Sequence, residues 1–356
     1  MATLTLEELA LLPLCGLPAY RAVRTFLFAF SSLRDNAPLD RRPGYDFGTA
    51  INSGSGANAG GLKALIGSDE HGGHRRRVLV LRGHDGVGAM AVQMLVRRGW
   101  RVSVHVPFSS VPAEAMQDVG NEFMRAVEER AREWGADEVI FDDGEEGGGV
   151  DDGRGAAVRV IDSLREDGDV FDAILDTIGG KEVREAGERL LRSNGRLSMP
   201  STPGSTTSAK PKRHGVGQFT TLVGDVPERA IPTAGDHFRA GLRSLRLGPS
   251  NDANASNGQS NDAAKAGDDD LKGSGKVGYA WVSVAQDVDW EGEDVGETLG
   301  TVIRFALEGG VRPLVEDVDG GMLGRPRVVP FEKAPYVFVD NGPLGDGGTV
   351  VVKVAG

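Results

Sequence analysis

The chain has a single cysteine, Cys15, in 356 residues. One thiol excludes an intrachain disulfide and any zinc site built from several cysteines, and it suits a reducing compartment. Aromatic residues are scarce at 6%. Basic charge is outnumbered, 40 Lys and Arg against 52 Asp and Glu, for a net charge of -12. That balance argues against a nucleic-acid surface, which needs a clustered positive field. No apolar run reaches the ~18 residues that suggest a transmembrane helix. The opening stretch has no basic n-region and carries Glu7 and Glu8, so it does not read as a signal peptide. A cytoplasmic globular protein is the expectation.

Glycine is abundant: 52 residues, near twice the usual share of ~7%. The glycines follow no Gly-x-y period, which excludes collagen. Many fall in polar, low-complexity stretches. Residues 35–77 read as a flexible linker, Asp142–Gly155 as an acidic loop, and 249–276 as a disordered insert.

Between these stretches strands and helices alternate. Thr5-Leu6-Glu7-Glu8 has the form of a capping box, and a second helix is predicted over Pro18–Phe28. Strands are predicted at Val78–Leu81, Arg101–Val106, Glu138–Phe141, Phe171–Leu175, Gly195–Met199 and Val277–Val284, with a last one at Thr349–Val354. Helices are predicted at Ala89–Arg98, Ala113–Trp134, Ala156–Arg165, Lys181–Arg192, Asp236–Leu245 and Glu297–Leu307. This order predicts an α/β fold: a doubly wound, mainly parallel Rossmann sheet with helices on both faces.

The first strand runs into Gly83-His84-Asp85-Gly86-Val87-Gly88. A glycine-rich turn between strand and helix is where such a sheet holds the pyrophosphate of a dinucleotide, against the free N–H groups of the helix. Gly83 and Gly88 match the outer positions of G-x-G-x-x-G, and Asp85 stands in the middle one. A carboxylate there adds bulk and like charge, and Gly86 offers relief by a one-residue shift. A turn that holds no nucleotide is the other reading. His84 either shapes the turn or contacts a phosphate. The second strand ends without the acidic residue that binds a ribose 2′-hydroxyl, which favours NADPH over NADH. Ser109 and Ser110 are then candidates for the 2′-phosphate, or ordinary loop serines.

VLVLRGHDGVGAMAVQML (Val78–Leu95), WGADEVIFD (Trp134–Asp142), FDAILDTIGG (Phe171–Gly180) and SNGRLSMP (Ser193–Pro200) resemble the cofactor domain of medium-chain dehydrogenase/reductases. The branch resembled is that of the zinc-free quinone and enoyl reductases. Leu9–Val23 is similar to the helix pair that precedes the domain. Phe219–Asp225, Gly309–Val318, Val328–Phe338 and Gly347–Val354 are similar to its closing segments. The resemblance implies NADPH as cofactor and hydride transfer to a carbonyl or an activated alkene. It places Gly83, Asp85, Gly86, Val87 and Gly88 at the pyrophosphate. Thr177, Ile178 and Gly179 fall beside the nicotinamide ribose, with Met199 and Pro200 in the same layer.

On the same reading, residues 1–34 are a helical remnant ahead of the cofactor domain, residues 78–310 are that domain, and 311–356 are a return segment. Most of the family's N-terminal barrel is missing, or lies upstream of Met1. An unpaired strand at Thr349–Val354 is then an aggregation liability. Homodimerisation by sheet-edge pairing is a further implication. The GHDGVGA loop and the long inserts also suit fungal relatives that act in proton-pump delivery to the plasma membrane, which implies a non-catalytic alternative with weakened cofactor binding.

No metal site and no Gly-x-Ser-x-Gly elbow is expected. His71, His74 and His214 sit in polar, basic loops, Cys15 reads as core packing, and nothing singles out Tyr20 or Tyr279 as a proton donor.

Overall fold

The computed structural model describes residues 3–31, 75–107, 119–142, 153–193, 217–228, 233–245, 277–283, 294–308, 310–315, 328–338 and 350–354. Most of the expected linker and acidic loop, all of the expected insert, His71, His74, His214 and the expected fifth strand at Gly195–Met199 lie outside these residues.

The chain opens with helix α1 (Leu6–Leu11). Thr5 caps it as a full capping box: its side chain accepts from the Glu8 N–H, and the Glu8 carboxylate accepts from the Thr5 N–H at 2.8 Å. A turn of π-helix over Leu12–Gly16, with Pro13 in it, leads into α2 (Leu17–Ser31). Proline has no N–H to give the helical ladder, so a widened turn there costs little.

Six strands follow: β1 (Arg77–Val80), β2 (Arg101–Val106), β3 (Glu138–Phe141), β4 (Ala173–Asp176), β5 (Gln218–Thr221) and β6 (Gly278–Trp281). The helices are α3 (Gly86–Arg97), α4 (Val119–Glu133), α5 (Arg154–Glu166), α6 (Lys181–Ser193), α7 (Ala234–Leu245) and α8 (Val295–Leu307). All six strands pair in parallel in the order β3-β2-β1-β4-β5-β6. This is the doubly wound, Rossmann-type arrangement that the alternation predicts.

Both faces of the sheet are covered. Val78 and Val80 of β1 enter one core with Tyr20 and Phe26 of α2, Met90 of α3, Phe123 of α4 and Val302 of α8. Leu79, with Leu81 just beyond the strand, enters the other core with Ile161 of α5, Leu190 of α6 and Phe219 of β5. Successive residues point to opposite faces, so a wholly apolar strand is what two buried faces require. Cys15 is buried in the first core, where the sequence placed it.

The amino edge of the sheet is pinned by Arg77. Its guanidinium reaches Asp169 at 2.5 Å and Glu138 at 2.7 Å, and its backbone N–H donates to Asp172 at 2.8 Å. Arg77, expected in the linker, is therefore the first residue of β1.

Strand β5 is one that the sequence reading does not anticipate. The strand next to β4 is Gln218–Thr221, about twenty residues beyond the stretch predicted to be fifth. It is fully buried, yet three of its four residues are polar. Gln218 donates to Thr220 at 3.4 Å, and the Thr220 and Thr25 hydroxyls lie 2.6 Å apart. Thr25 donates onward to the Ala22 carbonyl at 2.7 Å, which leaves Thr220 as the donor to Thr25. A polar strand is tolerated in the core because each of these groups finds a partner.

The last strand is paired on one side, in a two-stranded sheet. Strand β8 (Val351–Lys353) pairs in parallel with β7 (Val328–Pro330), followed by a 3-10 helix at Phe331–Phe338. Lys353 of β8 bridges to Glu7 of α1 at 2.8 Å. Arg312, beyond α8, bonds Glu8 at 3.1 Å and exchanges two 2.8 Å bonds between its backbone and the Gln93 amide. Among the described residues, no helix is long and apolar enough to cross a membrane.

Candidate functional site: the crevice at the carboxyl ends of β1 and β4

The strand order reverses direction between β1 and β4, and the crevice outside their carboxyl ends is where open α/β sheets bind ligands. Leu81 extends the β1–β4 ladder, its N–H donating to the Leu175 carbonyl at 2.9 Å. Across the crevice the Thr177 hydroxyl donates to the Leu81 carbonyl at 2.8 Å. The structure therefore brings Gly83–Gly88 and Thr177–Gly179 together. Ser109, Ser110, Met199 and Pro200 lie outside the described residues.

The glycine turn is tight. Arg82 takes φ +53°, a left-handed conformation rare outside glycine. The Gly83 N–H donates to the His105 carbonyl at 3.0 Å. A Cβ on Gly88 would stand 2.3 Å from the Arg82 carbonyl oxygen and 2.8 Å from the Gly83 Cα. Only glycine lets helix α3 approach the turn so closely. A Cβ on Gly83 would stand 3.0 Å from Val104.

Asp85 is the N-cap of α3. Its Oδ1 accepts the Gly86 N–H at 2.7 Å, and its carbonyl takes the first helical bond, from Ala89, at 3.1 Å. The side chain is buried, 6% exposed. His84 beside it is equally buried, its ring 6.5 Å from that of Phe123. The imidazole thus packs against Phe123 of α4.

Two groups at this turn were not anticipated. His105 of β2 is fully buried, with Nε2 3.3 Å from Asp142 and Nδ1 accepting the Arg82 N–H at 3.4 Å. That acceptor role puts the ring proton on Nε2, facing Asp142. A carboxylate from the end of β3 therefore does approach the end of β2, turned inward onto His105. The sequence signal was a lone histidine in an apolar strand, whose partner 37 residues away no local pattern reveals.

The far wall is a pair of matched turns. Asp176, closing β4, accepts the N–H groups of Ile178 at 2.9 Å and Gly179 at 2.8 Å. Thr221, closing β5, accepts those of Val223 at 3.2 Å and Gly224 at 3.0 Å. The Gly180 N–H donates to the Gly224 carbonyl at 2.8 Å and ties the two together. Burial pushes the Asp176 carboxyl above its ordinary value, against hydrogen bonds from Gly179, Thr221 and Ile178 that pull it down. Gly179 takes φ +82°, and a Cβ there would meet Val223 at 2.5 Å.

Beyond this wall a shallow pocket lies between α7 and the end of β6, lined by Asp225, Arg243, Tyr279 and Trp281 among others. Asp225 is clamped by Arg243 at 2.7 Å and Arg184 at 3.0 Å. Burial, with Asp225 adding to it, pushes the Tyr279 phenol up to about 12. Such a phenol holds its proton at neutral pH. Tyr20 is buried in the core of α2, with its ring 6.3 Å from that of Phe305. Among the described residues, no three His, Cys, Asp or Glu side chains group so as to hold a metal ion.

The residues fit a dinucleotide in part. The strand order, the tight turn and the opposing wall are those of a dinucleotide crevice. The N–H at the start of α3, where a pyrophosphate would sit, is instead bonded to the Asp85 carboxylate.

No protein-family model matches the chain, and no curated protein matches it. Solved structures match it only at low identity and low TM-score. The crystal structure of AibC is 16% identical with a TM-score of 0.33, over 73% of this chain and 44% of that one. CurA in complex with NADPH, from Vibrio vulnificus, is 14% identical with a TM-score of 0.38, over 83% and 60%. The CurK enoyl reductase is 13% identical with a TM-score of 0.39, over 83% and 58%. The chain spans about half the length of the solved proteins it matches, and its fold class rests on its own strand order.

Proposed function

We propose that the chain is an NADPH-dependent, zinc-independent oxidoreductase of quinone or enoyl reductase type. One observation carries this reading: a tight glycine turn opens helix α3 at the β1–β4 reversal of a parallel sheet in the order 3-2-1-4-5-6. Such a crevice suits an extended, two-headed ligand laid across the strand ends. The bound cofactor would supply the hydride for reduction of a carbonyl or an activated alkene. The chain's own residues shape the floor. Thr177 fixes the end of β4 to that of β1, and Asp176 fixes the turn that follows. The β2 end, His105-Val106-Pro107, carries no carboxylate of its own, and the one that approaches it, Asp142, is turned inward onto His105, which supports NADPH over NADH. The test is fluorescence titration of the full chain with NADPH and with NADH. Saturable binding with preference for NADPH supports the reading, and no binding by any form of the chain refutes it.

A second reading has its own observation. Asp85 spends the first helical N–H on its own carboxylate, as expected of a non-catalytic relative that uses the fold for protein interaction, with weakened cofactor affinity. Turnover with quinone or enone substrates separates the two readings.

A further inference from the structure

We infer that Asp85 is a built-in occupant of the diphosphate position of this crevice, a carboxylate that a dinucleotide must displace before it can bind. This rests on the dinucleotide reading above. The carboxylate is already where an anion belongs: Oδ1 lies 2.7 Å from the Gly86 N–H, at the positive end of the twelve-residue helix α3. It is 6% exposed, so solvent screens it little from a second anion.

The glycines around it sort by what requires them. At Gly88 a side chain would strike the Arg82 backbone, at Gly83 it would press on Val104, and at Gly179 it would strike Val223. A Cβ has no room at Gly88 or Gly179, and at Gly83 it would need Val104 to give by a few tenths of an ångström, whether or not a ligand is bound. The middle position of the motif is different, because there glycine serves the approach of a pyrophosphate to the backbone. That position carries the aspartate. The turn keeps the glycines that hold its shape and lacks the one that admits the ligand.

The backbone at Asp85 has φ -143° and ψ 161°, an extended conformation open to any residue. Substitution there is therefore free of backbone strain. Asn keeps a capping oxygen and removes the charge, whereas Gly removes both the side chain and the charge and remains an acceptable N-cap residue.

The experiment compares NADPH binding by the full-length wild type, Asp85→Asn, Asp85→Gly and the control Asp294→Asn. Asp294 is the N-cap of α8, so the control makes the same change of charge and cap at another helix. The inference expects Asp85→Asn and Asp85→Gly to bind NADPH about tenfold tighter or more, with Asp294→Asn unchanged. A gain in Asp85→Gly alone also supports it and assigns the obstruction to bulk. Wild-type binding that neither Asp85 substitution tightens beyond about threefold overturns it while the dinucleotide reading stands. No binding by any folded form overturns both. An equal gain in Asp294→Asn assigns the effect to net charge and overturns the inference alone.

Discussion

Gly88→Ala tests the packing of the glycine turn directly. The added methyl would lie 2.3 Å from the Arg82 carbonyl oxygen and 2.8 Å from the Gly83 Cα. Ordinary non-bonded carbon contacts begin near ~3.5 Å, so the turn must open by about 1 Å. Three bonds resist that opening: Gly83 N–H to His105, Arg82 N–H to His105 Nδ1, and Thr177 to Leu81. The neighbour is backbone, which cannot swing aside as a side chain does. Overpacking of this kind costs about 1–3 kcal/mol, and a backbone clash sets the upper end. For a chain of this size ~3 kcal/mol lowers Tm by about 6–12 °C. The control is Gly241→Ala in α7, an exposed helical glycine with nothing within 4 Å of the new methyl. That change stabilises by about 0.4–1 kcal/mol through the unfolded chain. Urea and thermal melts followed by circular dichroism read both. A Gly88→Ala loss under ~1 kcal/mol, or an equal loss in both variants, refutes the account of the turn.

Three further outcomes are expected. Gln93→Leu strips both bonds from the Arg312 backbone; it should cost about 1–3 kcal/mol and speed hydrogen exchange at the Arg312 amide. Unchanged exchange would show that the amide does not hold that segment. Because burial raises the Asp176 pKa, the folded chain keeps a proton that the unfolded chain releases near 3.8. The stability this confers at low pH is lost as pH rises from there through the native pKa. Asp176→Asn should abolish that slope and match or exceed wild-type stability at neutral pH; a slope that survives the substitution refutes the assignment. The Tyr279 phenol, raised to about 12, keeps its proton where unfolded tyrosine loses it near 10, so stability falls between those values. Tyr279→Phe should remove one high-pH step from an ultraviolet difference titration, and an unaltered titration contradicts the burial argument.

The sheet was legible in the sequence wherever strands are apolar. Val78–Leu81 and Phe171–Leu175 read as buried strands because both faces demand hydrocarbon, and the structure places β1 and β4 there. The helix ends were legible where a cap marks them, as at Thr5. Strand β5 was not. Gln218, Thr220 and Thr221 are polar, and their burial depends on partners distant in sequence, such as Thr25. The GRLSM stretch before it carries a strand pattern of its own and lies outside the described residues. Asp85 was noticed as a departure from the glycine motif, but its role as the cap of α3 is a matter of geometry. His105 and Asp142 were invisible for the same reason as β5: a buried polar pair declares itself only once both strands are placed.

The hydroxyl chain from Gln218 through Thr220 to Thr25 also constrains how this sequence can change. Replacing Thr25 alone with valine leaves the Thr220 hydroxyl with a proton and no acceptor inside a dry core. Replacing both removes the need for either. Helix α2 and strand β5 are thus coupled through a hydrogen bond between residues 195 apart in the chain. Substitutions there are expected to be strongly non-additive, with the double Thr25→Val, Thr220→Val variant closer to wild type than either single change. Such a pair should drift through evolution together or not at all, and it adds a directional bond to a helix otherwise placed by ring packing against Trp100 and Phe305.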